Sequence, residues 1–136
     1  MVDTFAPQTP AIFADKWPTY RGLLDGAGSQ HDANAELIDI DKSCAEVLAA
    51  PPLRAMPVAV LSKTEPFRGL PATLPSGFTA QDIESRWPLV QATVVRLQPQ
   101  TPQTMATGSD HYIQVSQPDL VIDATRLVIS RAAANR

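Results

Sequence analysis

The residues most suited to chemistry sit in one stretch, Gly108-Ser109-Asp110-His111-Tyr112-Ile113-Gln114, followed by Gln117-Pro118-Asp119-Leu120-Val121. Histidine is the side chain whose ordinary titration range lets it take and return a proton near neutral pH. Here it lies between a short strand-like run and a helix that opens with proline, in a loop where a side chain can face a pocket. The spacing therefore points to His111 as a general base. A base needs something to activate, and no nucleophile motif accompanies it. Asp110, the adjacent residue, diverges from His111 along the chain and is expected in a turn or cap.

No other constellation competes with this one. The chain of 136 residues has a single cysteine, Cys44, which excludes an internal disulfide and a cysteine-based zinc site; the spacing expects it on the buried face of a helix. No metal-ligand spacing and no glycine-rich phosphate loop occurs, so neither metal nor cofactor is expected. The net charge of −3 and the scatter of the eleven basic residues argue against nucleic acid. No apolar run approaches the roughly 20 residues that cross a bilayer, and Met1-Val2-Asp3-Thr4 offers no basic or apolar leader. A cytoplasmic location without membrane contact is the expectation. His31, in the polar run Ser29-Gln30-His31-Asp32, reads as an exposed loop residue.

Thirteen prolines punctuate the chain and mark its joints. Residues 15–25 predict a helix with Pro18 in its first turn and Trp17, Tyr20 and Leu24 on one side. Gly26-Ala27-Gly28-Ser29-Gln30 reads as a loop. A helix over 41–49 stops at Pro51-Pro52. Pro57-Val58-Ala59-Val60-Leu61-Ser62 is apolar without alternation, as in a strand buried on both faces of a parallel sheet. Thr79 caps a helix with Asp82 close behind, and Ile83, Trp87, Val90, Val94 and Leu97 give that helix one apolar stripe, which Pro88 should kink or split. Residues 103–107 read as a second strand. The final helix starts near Pro118, with Ser116 and Asp119 as a capping pair and Leu120, Ala124, Leu127 and Val128 toward the sheet. The order strand, helix, strand, helix predicts an α/β fold with parallel strands and right-handed crossovers.

These residues resemble the C-terminal portion of the α/β-hydrolase family. The strand at 57–62, the helix containing Trp87, the G-x-x-H loop at 108–111 and the Q-P-x-L-V helix start at 117–121 carry the resemblance, over residues 57–133. It implies a partial α/β-hydrolase fold, with residues 1–50 as the end of a core strand plus a lid-like helical segment and residues 51–136 as the C-terminal core. In that family the catalytic histidine follows the last strand, which assigns the role to His111. The histidine takes the proton of a serine and later delivers it to the leaving group of an ester- or amide-type substrate. The orienting acid is then Glu65, in the loop after the preceding strand, with Asp3 as the alternative. A loop glutamate paired with Lys63 is the plainer reading of Glu65. Phe13, Trp17, Phe67 and Trp87 could line an apolar pocket for a small-molecule substrate, although the helical register of Trp87 suits the core.

One departure from the family is severe. Its serine sits in a G-x-S-x-G elbow, and this sequence contains none; Gly26-Ala27-Gly28-Ser29-Gln30 lacks the final glycine. In the family order of nucleophile, acid and histidine, the serine would precede Met1, so the sequence reads as a truncated hydrolase, inactive alone. A non-catalytic remnant is the alternative, self-associating through an exposed sheet edge or docking on a partner.

Overall fold

The computed structural model describes residues 5–29 and 39–134. The start of the chain, with Asp3, and the stretch containing His31 lie outside the described residues. Helix α1 (Thr9–Phe13) has proline in its first turn and leads through a 3-10 turn, Ala14–Lys16, into α2 (Trp17–Ser29). Helix α3 (Ile40–Ala49) is capped by the Asp39 side chain, which accepts from the Lys42 N–H. Strand β1 (Val60–Lys63) is followed by α4 (Ala80–Glu84) and α5 (Trp87–Val95), then by strand β2 (Gln103–Ala106). Two further helices, α6 (Ile113–Ser116) and α7 (Pro118–Ala134), complete the described chain.

The two strands are adjacent and parallel, with Val60 opposite Gln103 and Lys63 opposite Ala106, as the sequence order predicts. Successive residues of a strand face opposite sides of a sheet, and β1 uses both sides. Val60 packs with Phe13, Tyr20, Phe78, Ile83, Val90 and Val94. Leu61 packs with Ala106 and Ile113, against Leu120, Val121 and Ala124. The sheet is thus a middle layer, with the N-terminal helices, α4 and α5 on one face and α6 and α7 on the other. All four residues of β1 are buried, which is why its sequence lacks alternation. The segment expected as a lid contributes Phe13 and Tyr20 to the same cluster as Val60.

The helix over residues 79–97 is split, as Pro88 requires. Proline has no N–H to give to the carbonyl of Glu84, and its ring crowds that carbonyl, so the chain turns at Ser85 and Arg86 before α5 begins. Thr79 and Asp82 form a reciprocal capping box on α4. The Asp82 carboxyl is held below its ordinary range, first by the Thr79 hydroxyl and then by the Thr79 backbone N–H, with Lys16 and Arg86 adding to it.

Several expectations are corrected. Residues 26–29 are helical rather than loop, because α2 runs on to Ser29. A glycine costs a helix only about 1 kcal/mol, and extending a helix already nucleated is cheap. Strand β1 begins at Val60, not Pro57, since a strand extends only as far as its partner pairs and β2 starts at Gln103. Leu127 is exposed: α7 turns Leu120, Val121, Ala124 and Val128 inward, and Leu127 falls outside that stripe. The Ser116 hydroxyl lies in α6 and is taken up by Ser109 and by the Tyr112 carbonyl. Cys44 is buried on α3 as expected, while its neighbours Val47 and Leu48 are exposed. Burial first, and the Asp41 charge second, push the Cys44 thiol up.

Candidate functional site

Parallel strands deliver their exit loops to one end of a sheet, and here the two loops are bonded to each other. The Ser109 carbonyl accepts from the backbone N–H groups of both Thr64 and Glu65, each at 3.0 Å. The Thr64 hydroxyl donates to the Ala106 carbonyl at 3.2 Å and accepts the Gly108 N–H at 2.9 Å. Gly108 itself has a φ of +83°, a left-handed conformation that a side chain disfavours, and it reverses the chain as it leaves β2. Glu65 and His111 are therefore carried by loops locked together at the carboxyl ends of adjacent strands.

The segment before His111 is fixed by its polar groups. Ser109 is buried, and its hydroxyl lies 2.8 Å from that of Ser116 and accepts from the Gln117 amide at 2.9 Å. The same amide donates to the Thr107 carbonyl at 2.7 Å. Asp110 accepts from the Tyr112 N–H at 3.1 Å, the turn role expected of it, and its other oxygen is 3.7 Å from the Arg68 Nε. Ile113 anchors the far side of the loop, completely buried in the α7 layer.

His111 is half-buried in an aromatic setting. Its ring centroid lies 5.3 Å from that of Phe67, 6.0 Å from Trp87 and 5.3 Å from Tyr112. Phe67 and Trp87 meet edge to face at 4.8 Å. Two of the four aromatic candidates from the sequence thus stand beside the histidine, and Trp87 serves the core as well. The other two do not: Phe13 is enclosed in the core, and Trp17 donates to Asp41 at 2.8 Å, joining α2 to α3. Glu65 is half-buried, with one carboxylate oxygen 3.3 Å from the Thr64 hydroxyl.

Lys63 finds a partner that the sequence did not suggest. Its ammonium is buried and sits 2.5 Å from Glu84 of α4, while it also donates to the Glu65 carbonyl at 2.9 Å. No spacing rule links residues 21 positions apart across a loop, so this pair was not legible beforehand. A second polar group lies under the sheet, where the Ser62 hydroxyl donates to the Gln91 side chain at 3.3 Å and accepts from Gln103 at 2.9 Å. Ser62 and Ser109 are both buried and engaged, which makes them poor nucleophiles for an outside substrate.

An apolar concavity of about 240 Å³ lies elsewhere, between β1 and α7, lined by Ala59, Leu61, Val121, Ala124, Val128 and Ile129 among others. It contains neither His111 nor Glu65. Among the described residues, no three histidine, cysteine or carboxylate side chains gather as metal ligands would, and no helix is long and apolar enough to cross a membrane. No protein-family model, curated protein or solved structure matches the chain.

Proposed function

We propose that this chain is the C-terminal part of an α/β-hydrolase-type core, carrying the general base, His111, and the orienting acid, Glu65, of a Ser-His-acid triad. The observation that supports this reading most is the shared exit of the two strands, where the Ser109 carbonyl binds the Thr64 and Glu65 amides and brings the two loops together. The half-buried aromatic setting of His111 adds to it, since an apolar wall beside an imidazole suits an apolar acyl group. The sequence holds no G-x-S-x-G elbow. Without a serine in such an elbow and its oxyanion donors, base and acid have nothing to activate, so the chain by itself has no triad-dependent turnover.

Hydrolysis of a short activated ester, followed in the purified chain and in His111→Ala, tests this directly. Both proteins are expected to be equally slow, and a fluorophosphonate should label neither. Labelling of a serine in the chain, with turnover lost in His111→Ala, would overturn the assignment of the nucleophile to a separate segment. Reading the coding frame upstream of Met1 tests the assignment from the other side: a strand followed by G-x-S-x-G supports it.

A non-catalytic reading has its own observation. Val115 and Ile129 are 75% and 63% exposed, and Gln103, Thr104 and Met105 of β2 are exposed on a strand that pairs on one side only among the described residues. Such surface favours self-association. Sedimentation over a range of concentrations tests it, and a monomer throughout would dismiss it.

A further inference from the structure

The loop after β1 is held at three points by one ion pair. Glu84 Oε1 accepts the backbone N–H of Phe67 at 2.8 Å, and Glu84 Oε2 meets the Lys63 ammonium at 2.5 Å. Lys63 in turn donates to the Glu65 carbonyl at 2.9 Å and lies over the Phe67 ring, 4.4 Å from its centroid. The two side chains are only 5% and 21% exposed. An ion pair buried this deeply is weak evidence for stability, because desolvation offsets much of the attraction, and an apolar pair of similar volume often serves as well. What an apolar pair could not do is grip the backbone on both sides of Pro66. The grip carries through Phe67 to the site, since its ring lies 4.4 Å from the Lys63 ammonium and 5.3 Å from the imidazole of His111.

We infer that Lys63 and Glu84 are positioning residues for the candidate site: they fix the loop that presents Glu65 and hold the Phe67 ring against His111. The inference rests on the proposed role of Glu65 and His111 for its functional meaning, while the clamp itself is measured without reference to that role. Glu84 acts through the Phe67 amide, and Lys63 acts through the Glu65 carbonyl and the Phe67 face.

Amide hydrogen exchange and the carbon-bound ring signals of His111 give the test. In Glu84→Ala the Phe67 amide is expected to exchange about tenfold faster or more, as befits loss of a hydrogen bond to a charged acceptor. The Val60 amide, bonded to the Pro102 carbonyl in the sheet, should keep its protection, and the His111 ring signals should move as Phe67 is released. Should that variant fail to fold, Lys63→Met with Glu84→Leu removes the acceptor without stranding a buried cation, and the same readouts apply. The rescue is Lys63→Met with Glu84→Gln, whose amide oxygen still accepts from Phe67; it should retain Phe67 protection and near-native His111 signals. Equal acceleration of the Phe67 and Val60 amides would show a general stabilising role and overturn the inference. An unchanged Phe67 amide in the acceptor-free variants would overturn it too. Failure of the triad reading looks different, because it leaves the Phe67 amide effect intact while His111 ignores Glu65.

Discussion

Replacing Gly108 by alanine isolates the backbone geometry that launches the His111 loop. A Cβ built on Gly108 meets no atom within 4 Å, so the substitution introduces no clash. What remains is the φ of +83°, which an L side chain adopts at a cost of about 1–2 kcal/mol. The reduced freedom of alanine in the unfolded chain returns about 0.4–1 kcal/mol of that. The net expectation is a loss of about 1 kcal/mol. Gly22 supplies the control: it lies in α2 without a positive φ and has equally open space. There the same chemical change should stabilise by about 0.5–1 kcal/mol, since alanine is the better helix former. Urea unfolding of both variants reads the two signs as opposite shifts in midpoint at constant slope. A neutral or stabilising Gly108→Ala, or a Gly22→Ala that destabilises as much as Gly108→Ala, would refute the argument from φ.

Two further expectations concern the elements that frame the site. Ile113→Ala empties a completely buried position between β2 and α7 and should cost about 2–5 kcal/mol in denaturant unfolding; a cost below 1 kcal/mol would mean that this layer is loosely packed. The Asp82 carboxyl is held low by the Thr79 hydroxyl and backbone in the folded state, so its contribution is present above the ordinary carboxylate range and is lost as pH falls through the lowered folded value. Wild-type protein should therefore lose more stability on acidification than Asp82→Asn, and parallel acid profiles would contradict the capping box.

How much of this was legible depended on whether the signal was local. Thr79 with Asp82 and the break before Pro88 are short-range events, governed by groups within one turn, and they stood in the sequence. The unbroken apolar run at residues 58–61 likewise encodes burial on two faces, which the split of Val60 and Leu61 between two clusters bears out. Gly26 and Gly28 misled because their helical penalty is small beside the cooperativity of the helix that precedes them. Leu127 was placed inward on a stripe whose orientation only the contact with Leu61 and Ile113 decides. At the site, the loop geometry of Gly108 to His111 was readable from residue types. The Lys63 to Glu84 pair was not, since it forms across a proline-rich loop whose path no local rule fixes. Glu65 and His111 share one end of the sheet because parallel pairing brings their loops together, a consequence of topology rather than of either motif.

In the proposed triad a carboxylate of this chain orients His111 for proton transfer, with Glu65 in that role. The most direct measurement is the nitrogen-15 signature of the neutral His111 ring, which reports which ring nitrogen carries the proton. In a triad-like arrangement the acid accepts from Nδ1–H and leaves Nε2 free to take a proton. The expected result is an Nδ1-protonated ring in the wild-type chain and a shift away from that tautomer in Glu65→Ala. A ring that is indifferent to Glu65→Ala would contradict the assignment; a response to Asp3→Ala instead would transfer the role to Asp3, and indifference to both would remove the triad altogether.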